Sequence, residues 1–238
     1  MLRRRAPDNF ARGKMSFRPT PAAVHAFLRG RNALLVHFSG SPKGAGRDRG
    51  ADHLFPKDLL HVIAGRASSG LSCSVVRPGD VFRGFARNAT GAIGVVLDLR
   101  SAESLIAVSP SDLGSGEDAA GNRVVSHERD ITLGDLEDTL DRRANGDYNE
   151  WVVRDFRVRG VFAGSPPQVS VLVEPQFPEE VPDWMREPTL VPGFRRVNEE
   201  ELFQTFPGLP LYTFSSTGIV RRTIDGAVVV SGADIYPP

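Results

Sequence analysis

A histidine stands inside an otherwise apolar run, Ala33-Leu-Leu-Val-His-Phe38. A polar ring in such a run must hydrogen-bond to something. Taken alone, His37 reads as a core histidine bonded to a backbone carbonyl; at a cleft the same ring is a strand-borne ligand contact. A second run, Leu71-Ser-Cys-Ser-Val-Val76, alternates so that Ser72 and Ser74 share one face and Cys73 takes the other. The serines then face a cleft or form an ordinary half-buried strand face. Cys73 is the buried member, a small apolar group in effect. The chemical alternative is a nucleophilic pair in which His37 or His61 serves Cys73 as base, although no neighbouring residue signals a lowered thiol pKa. A third stretch, Tyr148-Asn149-Glu150-Trp151, puts a carboxylate at the mouth of a hydrophobic strand, after a helix ending in Arg142-Arg143. A glutamate in that position beside an aromatic ring is a candidate site residue. The competing reading is a solvated carboxylate paired with an arginine. Tyr148 and Trp151 read as packing residues in either case.

Short elements must position these groups. Thr20 caps a helix begun by Pro21 and ended by Gly30, with Val24, Phe27 and Leu28 at helical spacing. The strand bearing His37 follows. Residues 39–52 are a Gly-, Ser-, Lys- and Arg-rich loop, long enough to suggest function. Pro56 opens a second helix, with Leu59, Leu60 and Ile63 facing one way and Gly65 as its stop. Then come the strand 71–76, the turn Arg77-Pro-Gly-Asp80 and a strand over Ala92–Leu99, with Ser104–Val108 as its expected pairing partner. Residues 109–126 read as loop. Thr132 and Asp135 form a capping box for a helix over Thr132–Arg143, lined by Leu133, Leu136 and Leu140. Trp151–Phe162 reads as one strand and Val169–Val173 as another. Pro175–Pro192 is a Pro-rich, acidic crossing. Asn198 caps a helix carrying Leu202, Phe203 and Phe206, and Asp225-Gly226 marks a hairpin. Helices and strands thus alternate irregularly, as expected of an α+β fold.

Bulk properties narrow the classes. The chain has 238 residues, 40% hydrophobic and 24% charged, sufficient for a packed core. A formal net charge of zero lacks the basic excess of a duplex-wrapping domain, so any nucleic acid would be met locally. A single cysteine forms no internal disulfide and fits a reducing cytoplasm. The basic start, MLRRRAPDNFARGKM, has no apolar segment after it and is not a secretory signal; it reads as a flexible tail, and Met15 is an alternative start. No apolar run approaches the length of a membrane span.

The order of the three chemical stretches resembles the ADP-ribosyltransferases, bacterial toxin and defence types among them. That family sets a His or Arg on its first core strand, a Ser/Thr/Tyr element on the next, and a Glu opening a later strand. His37, Ser72 with Ser74, and Glu150 stand in that order, and Arg142-Arg-Ala-Asn-Gly-Asp-Tyr-Asn-Glu-Trp-Val-Val153 resembles the family's Glu region. The likeness covers about residues 33–162. It implies a split, mostly antiparallel sheet flanked by short helices, with a C-terminal helix and β-hairpin added. The organisation expected is a tail over 1–15, the transferase-like core over 16–176 and an extension over 177–238 packed on it. The resemblance implies NAD as substrate, no metal, Glu150 as the catalytic carboxylate, and NAD contacts at His37, Ser39, Ser72, Ser74 and Tyr148. Lys43, Arg47 and Arg49 of the loop would close over the pyrophosphate or are plain surface charge.

The pattern departs from the family in places. Val36 precedes the histidine where a Tyr is common, and Phe38-Ser39 follows where Gly-Thr is common. The middle element is Ser-Cys-Ser rather than Ser-Thr-Ser. Tyr148 stands where arginine-modifying members carry Glu or Gln, which argues against an arginine acceptor. A nucleobase, another side chain or water remains open, so the partner is a protein or a nucleic acid, and an antitoxin or immunity protein would be a cognate partner. Two other classes stay in view: a non-enzymatic binding module of the antitoxin or immunity kind, and a metal-dependent nuclease built from His37 with Asp80, Asp98 or Asp112. Neither a Walker loop nor a G-x-G-x-x-G occurs. His53 and His61, eight apart, do not share a helical face, and His25 and His127 read as ordinary positions.

Overall fold

A computed structural model describes residues 18–39, 55–65, 70–80, 93–110, 130–141, 149–164, 168–173, 193–216, 218–236 and 238. The first 17 residues, most of the 39–52 loop, Arg142-Arg143, Tyr148 and the Pro-rich 174–192 segment lie outside them.

Local signals set several elements. In α1 (Pro21–Gly30) the Thr20 hydroxyl accepts from Ala23 N–H (3.2 Å), and Val24 and Leu28 are buried. In α2 (Lys57–Ile63) the buried residues are Leu59 and Val62, while Leu60 is 40% exposed, so the apolar face is turned from the one expected. In α3 (Leu133–Asp141) Thr132 and Asp135 cap one another, and Leu136, Thr139 and Leu140 are buried. Leu133 faces solvent instead. Asn198 caps α4 (Glu199–Thr205) by accepting from Glu201 N–H (2.9 Å), and α5 is the short Gly232–Ile235. No helix among the described residues is long and apolar enough to cross a membrane.

Among the described residues nine strands form one mostly antiparallel sheet, confirming the α+β class. They are β1 (Leu34–Phe38), β2 (Leu71–Val76), β3 (Ile93–Leu99), β4 (Leu105–Ser109), β5 (Glu150–Val153), β6 (Phe156–Ala163), β9 (Leu211–Ser215), β10 (Gly218–Thr223) and β11 (Gly226–Val230), in the order β11-β10-β9-β6-β3-β1-β2-β5-β4. The contact of β6 with β9 is parallel. Strands β7 (Gln168–Val173) and β8 (Gly193–Asn198) pair separately.

A bent ribbon organises this sheet. Strand β3 pairs with β6 up to Leu99↔Phe156, and β4 with β5 from Leu105↔Val153 onward. Between them the chain turns a corner. Arg100 N–H donates to Asp155 O (3.2 Å), Arg154 N–H to Ser104 O (2.8 Å), and Ser104 Oγ–H to Asp155 O (2.7 Å). Asp155 holds φ 47, a left-handed conformation that Asp tolerates. Two sequence expectations fail here for one reason. Ser104–Val108 pairs with β5 rather than with Ala92–Leu99, and Trp151–Phe162 is two strands, because the ribbon passes from one wing of the sheet to the other. The wings are β6-β3-β1 and β2-β5-β4.

The core lies against both wings. Trp151 is fully buried, stacks on Phe27 of α1 (centroids 6.0 Å apart) and donates Nε1–H to Thr139 Oγ1 of α3 (3.1 Å). The C-terminal strands continue the same sheet. Tyr236 is fully buried, and its hydroxyl oxygen accepts from Leu35 N–H (2.9 Å). The expected hairpin joins β10 and β11, with Ile224 and Asp225 as its loop and Gly226 already paired with Thr223.

Gly94 makes the closest strand approach. A Cβ there would run into the carbonyl oxygen of His37, with the Val36 side chain also too near. Gly94→Ala should therefore cost about 2 kcal/mol or more, as overpacking in a dense core does. Urea unfolding measures this, and a variant within about 0.5 kcal/mol of wild type would show that β1 and β3 are looser than described.

Candidate functional site

The sheet forks beside His37. Strands β1 and β2 pair only over Leu34↔Val76, Leu35↔Val75 and Val36↔Ser74. Beyond that point β1 stays with β3, through His37↔Val95 and Phe38↔Gly94, while β2 stays with β5, through Leu71↔Val153, Ser72↔Val152 and Cys73↔Trp151. The His37 ring spans the opening: Nδ1 lies 2.6 Å from Ser72 O. Burial lowers the His37 pKa, outweighing the opposite pull of the Ser72 carbonyl and of the Asp58 charge. The ring is then neutral at pH 7. With Nδ1–H donated to Ser72, Nε2 is its acceptor nitrogen.

Each expected site residue can be placed around this fork except Tyr148, which is outside the described residues. Ser72 is exposed and Ser74 buried. The Ser74 hydroxyl donates to Asn149 O (2.8 Å). Glu150 opens β5 opposite Ser109 of β4 and is 8% exposed. Ser39 lies at the end of β1, where its hydroxyl donates to Asp58 Oδ2 (2.5 Å) and its N–H to Ile93 O (2.9 Å). Strand order β1-β2-β5 therefore brings the histidine, the serines and the glutamate onto three neighbouring strands, with the Ser74 hydroxyl committed to Asn149 O.

Two residues near the fork had no role assigned from sequence. Asn149 is fully buried; its Oδ1 accepts from Val75 N–H (2.7 Å) and its Nδ2–H donates to Val75 O (3.0 Å). The side chain thus continues the β2–β5 ladder two residues past its last pair, Cys73↔Trp151, and holds the start of β5 at Glu150. Asp58 anchors Ser39 and places its charge near His37. Neither was legible locally, since each acts on a residue far away in the chain.

Cys73 is not an activated nucleophile. Burial, with the nearby Glu150 charge adding to it, raises its pKa well above the ordinary thiol range. Its Sγ–H points to Leu71 O (3.5 Å). A neutral thiol held this way is a poor attacking group.

The carboxylates considered for a metal have other commitments. Asp80 accepts from Arg77 N–H (2.9 Å), and Asp98 is held by His25 and Arg159. Asp112 lies outside the described residues. Among the described residues no group of three His, Cys, Asp or Glu side chains is placed to hold a metal ion. His25, an ordinary position by sequence, is instead half-buried and packed against Asp98, its Nε2 2.6 Å from Oδ1. Comparison with protein-family models, with curated proteins and with solved structures found no match to this chain.

Proposed function

We propose that this protein cleaves NAD and transfers ADP-ribose to a macromolecular acceptor. One observation carries the reading. Three motif elements far apart in sequence, His37, Ser72 with Ser74, and Glu150, stand on the neighbouring strands β1, β2 and β5, with His37 just past the point where β1 and β2 part. Breaking the bond between nicotinamide and ribose develops positive charge on the ribose. A carboxylate held beside that ring stabilises the charge more in the transition state than in the ground state. In this reading Glu150 does so while accepting from a ribose hydroxyl. The neutral His37 ring accepts, at Nε2, from a hydroxyl of the adenine-side ribose. Exposed Ser72 lines the nicotinamide end. Ser74 and Asn149 act through Glu150 by holding the start of β5. Ser39 is a further NAD contact, and Tyr148, outside the described residues, is the last one that the resemblance implies.

The acceptor in this reading is a nucleobase, a side chain other than arginine, or water, since Tyr148 replaces the family's arginine-directing carboxylate or amide. A cytoplasmic toxin or defence effector, held in check by a cognate partner, fits this chemistry. The test is incubation of the purified protein with NAD while free nicotinamide is quantified by chromatography, alone and with a cell extract as acceptor source. The expected result is nicotinamide release proportional to protein concentration. Absence of release under both conditions, together with no melting shift on adding NAD, sinks the proposal.

A further inference from the structure

The β3–β6 ladder carries, near the ribbon corner, more positive charge than it neutralises. Asp98 and Arg157 are register partners there and on a regular ladder would pair. A register shift beside them adds a competitor: Val96 opposes Gly160 but Leu97 opposes Val158, so Arg159 is the extra residue of β6. Bulges re-aim side chains, and here Arg159 takes one oxygen of Asp98 while His25 takes the other. Asp98 is thereby used up. Arg100 lies 3.9 Å from Asp155, with both side chains half exposed, so that pair is weak. Arg157 is left without a counter-charge among the described residues.

Arg100, Arg157, Arg159, Asp98 and His25 line an open surface pocket of about 280 Å³, with Pro21 and Ala22 of the first turn of α1 on its rim. Thr20 satisfies Ala23 N–H and Pro21 has none, so Ala22 supplies the remaining first-turn donor at the positive end of the helix dipole. Arg159 is 29% exposed, so its guanidinium keeps a face toward this pocket while it holds Asp98. A fork of guanidinium donors beside a helix N-terminus matches the oxygens of a dianionic phosphate.

We propose that this pocket binds a phosphate group, free or as the monoester of a small molecule, gripped by Arg157 and Arg159 and met by the first turn of α1. The site is separate from the fork: Asp98 lies three residues along β3 from Val95, the partner of His37. It stands or falls independently of NAD cleavage.

The test is calorimetric titration of the full chain, at constant ionic strength, with inorganic phosphate, ribose 5-phosphate and sodium chloride. Saturable binding of the phosphate species but not of chloride is expected, roughly tenfold weaker in Arg157→Gln. Arg157 holds no described partner, so that variant should fold. Glu150→Gln should bind phosphate as wild type does, which separates this site from the NAD site. Tighter binding of ribose 5-phosphate supports a monoester ligand, and equal or tighter binding of inorganic phosphate supports the free ion. The proposal is overturned if wild type binds neither saturably, or if Arg157→Gln binds them equally well.

Discussion

Glu150→Gln is expected to lower nicotinamide release by about 10²–10³-fold, the scale on which losing one preorganised group facing transition-state charge acts. The substitution keeps the volume of a side chain that is 8% exposed at the start of β5. The backbone clasp beside it, made by Asn149 on Val75 and by Ser74 on Asn149, is untouched. Melting should therefore shift little. The loss should fall on kcat rather than on the KM for NAD, because the interaction removed is stronger in the transition state. A variant that melts normally and retains more than about a tenth of the wild-type rate would show that another group supports the ribose charge. A variant that merely unfolds is distinguishable by its melting curve, and Glu150→Asp then serves as the second probe: it keeps the charge, withdraws it from the ribose, and should also lose rate.

Sequence disclosed those parts of the fold that are decided locally. Thr20 and Pro21 start α1 through a hydroxyl and a missing N–H, both readable in place. The Thr132–Asp135 box and the Asn198 cap work the same way. The bounds of β2 follow from its own alternation. The corner of the ribbon was hidden because its makers are ordinary residues: Asp155 carries no Gly or Pro signal, and Ser104 acts on a carbonyl 51 residues away. Without the corner, β4 looked like a neighbour of β3. The β10–β11 hairpin that Asp225-Gly226 signals is present, with Ile224 and Asp225 in its loop and Gly226 in the ladder at φ 147.

The candidate site was legible as three residue types in order, and not as a geometry. Nothing in Leu-Val-His-Phe tells that His37 would meet the backbone rather than the hydroxyl of Ser72. Nothing in Tyr-Asn-Glu-Trp tells that Asn149 would stand in for a strand. The first depends on β1 and β2 parting after Val36 and Ser74, the second on the β2–β5 pairing ending at Cys73↔Trp151. The charged cluster at the other end of the β1–β3 ladder left a fainter trace, an aspartate inside the apolar strand Ile93-Gly-Val-Val-Leu-Asp-Leu99 and two arginines two apart in β6. Those signs mark polar groups that need partners, but only the bulge decides which arginine obtains one.

Asp98→Asn should destabilise the fold by about 3 kcal/mol, the low end for removing one member of a buried ionic cluster. The low end applies because Asp98 and His25 are 4% and 12% exposed while Arg159, at 29%, can turn partly toward water. The same cluster sets an acid dependence. Burial pushes the Asp98 carboxyl up, but the bond from His25 and the charge of Arg159 outweigh it, and its pKa is lowered in the folded state. A depressed carboxyl adds stability that is fully present above its unfolded pKa, about 3.9, and is lost as pH falls through the lower folded value. Wild-type stability should therefore fall with acidification in that window, and Asp98→Asn should flatten this part of the curve while lowering the plateau near pH 7. Urea melts of both proteins across the acid range check this. A variant as stable as wild type at neutral pH would mean that His25 and Arg159 are solvated rather than held. An unchanged acid slope would assign the slope to other carboxylates.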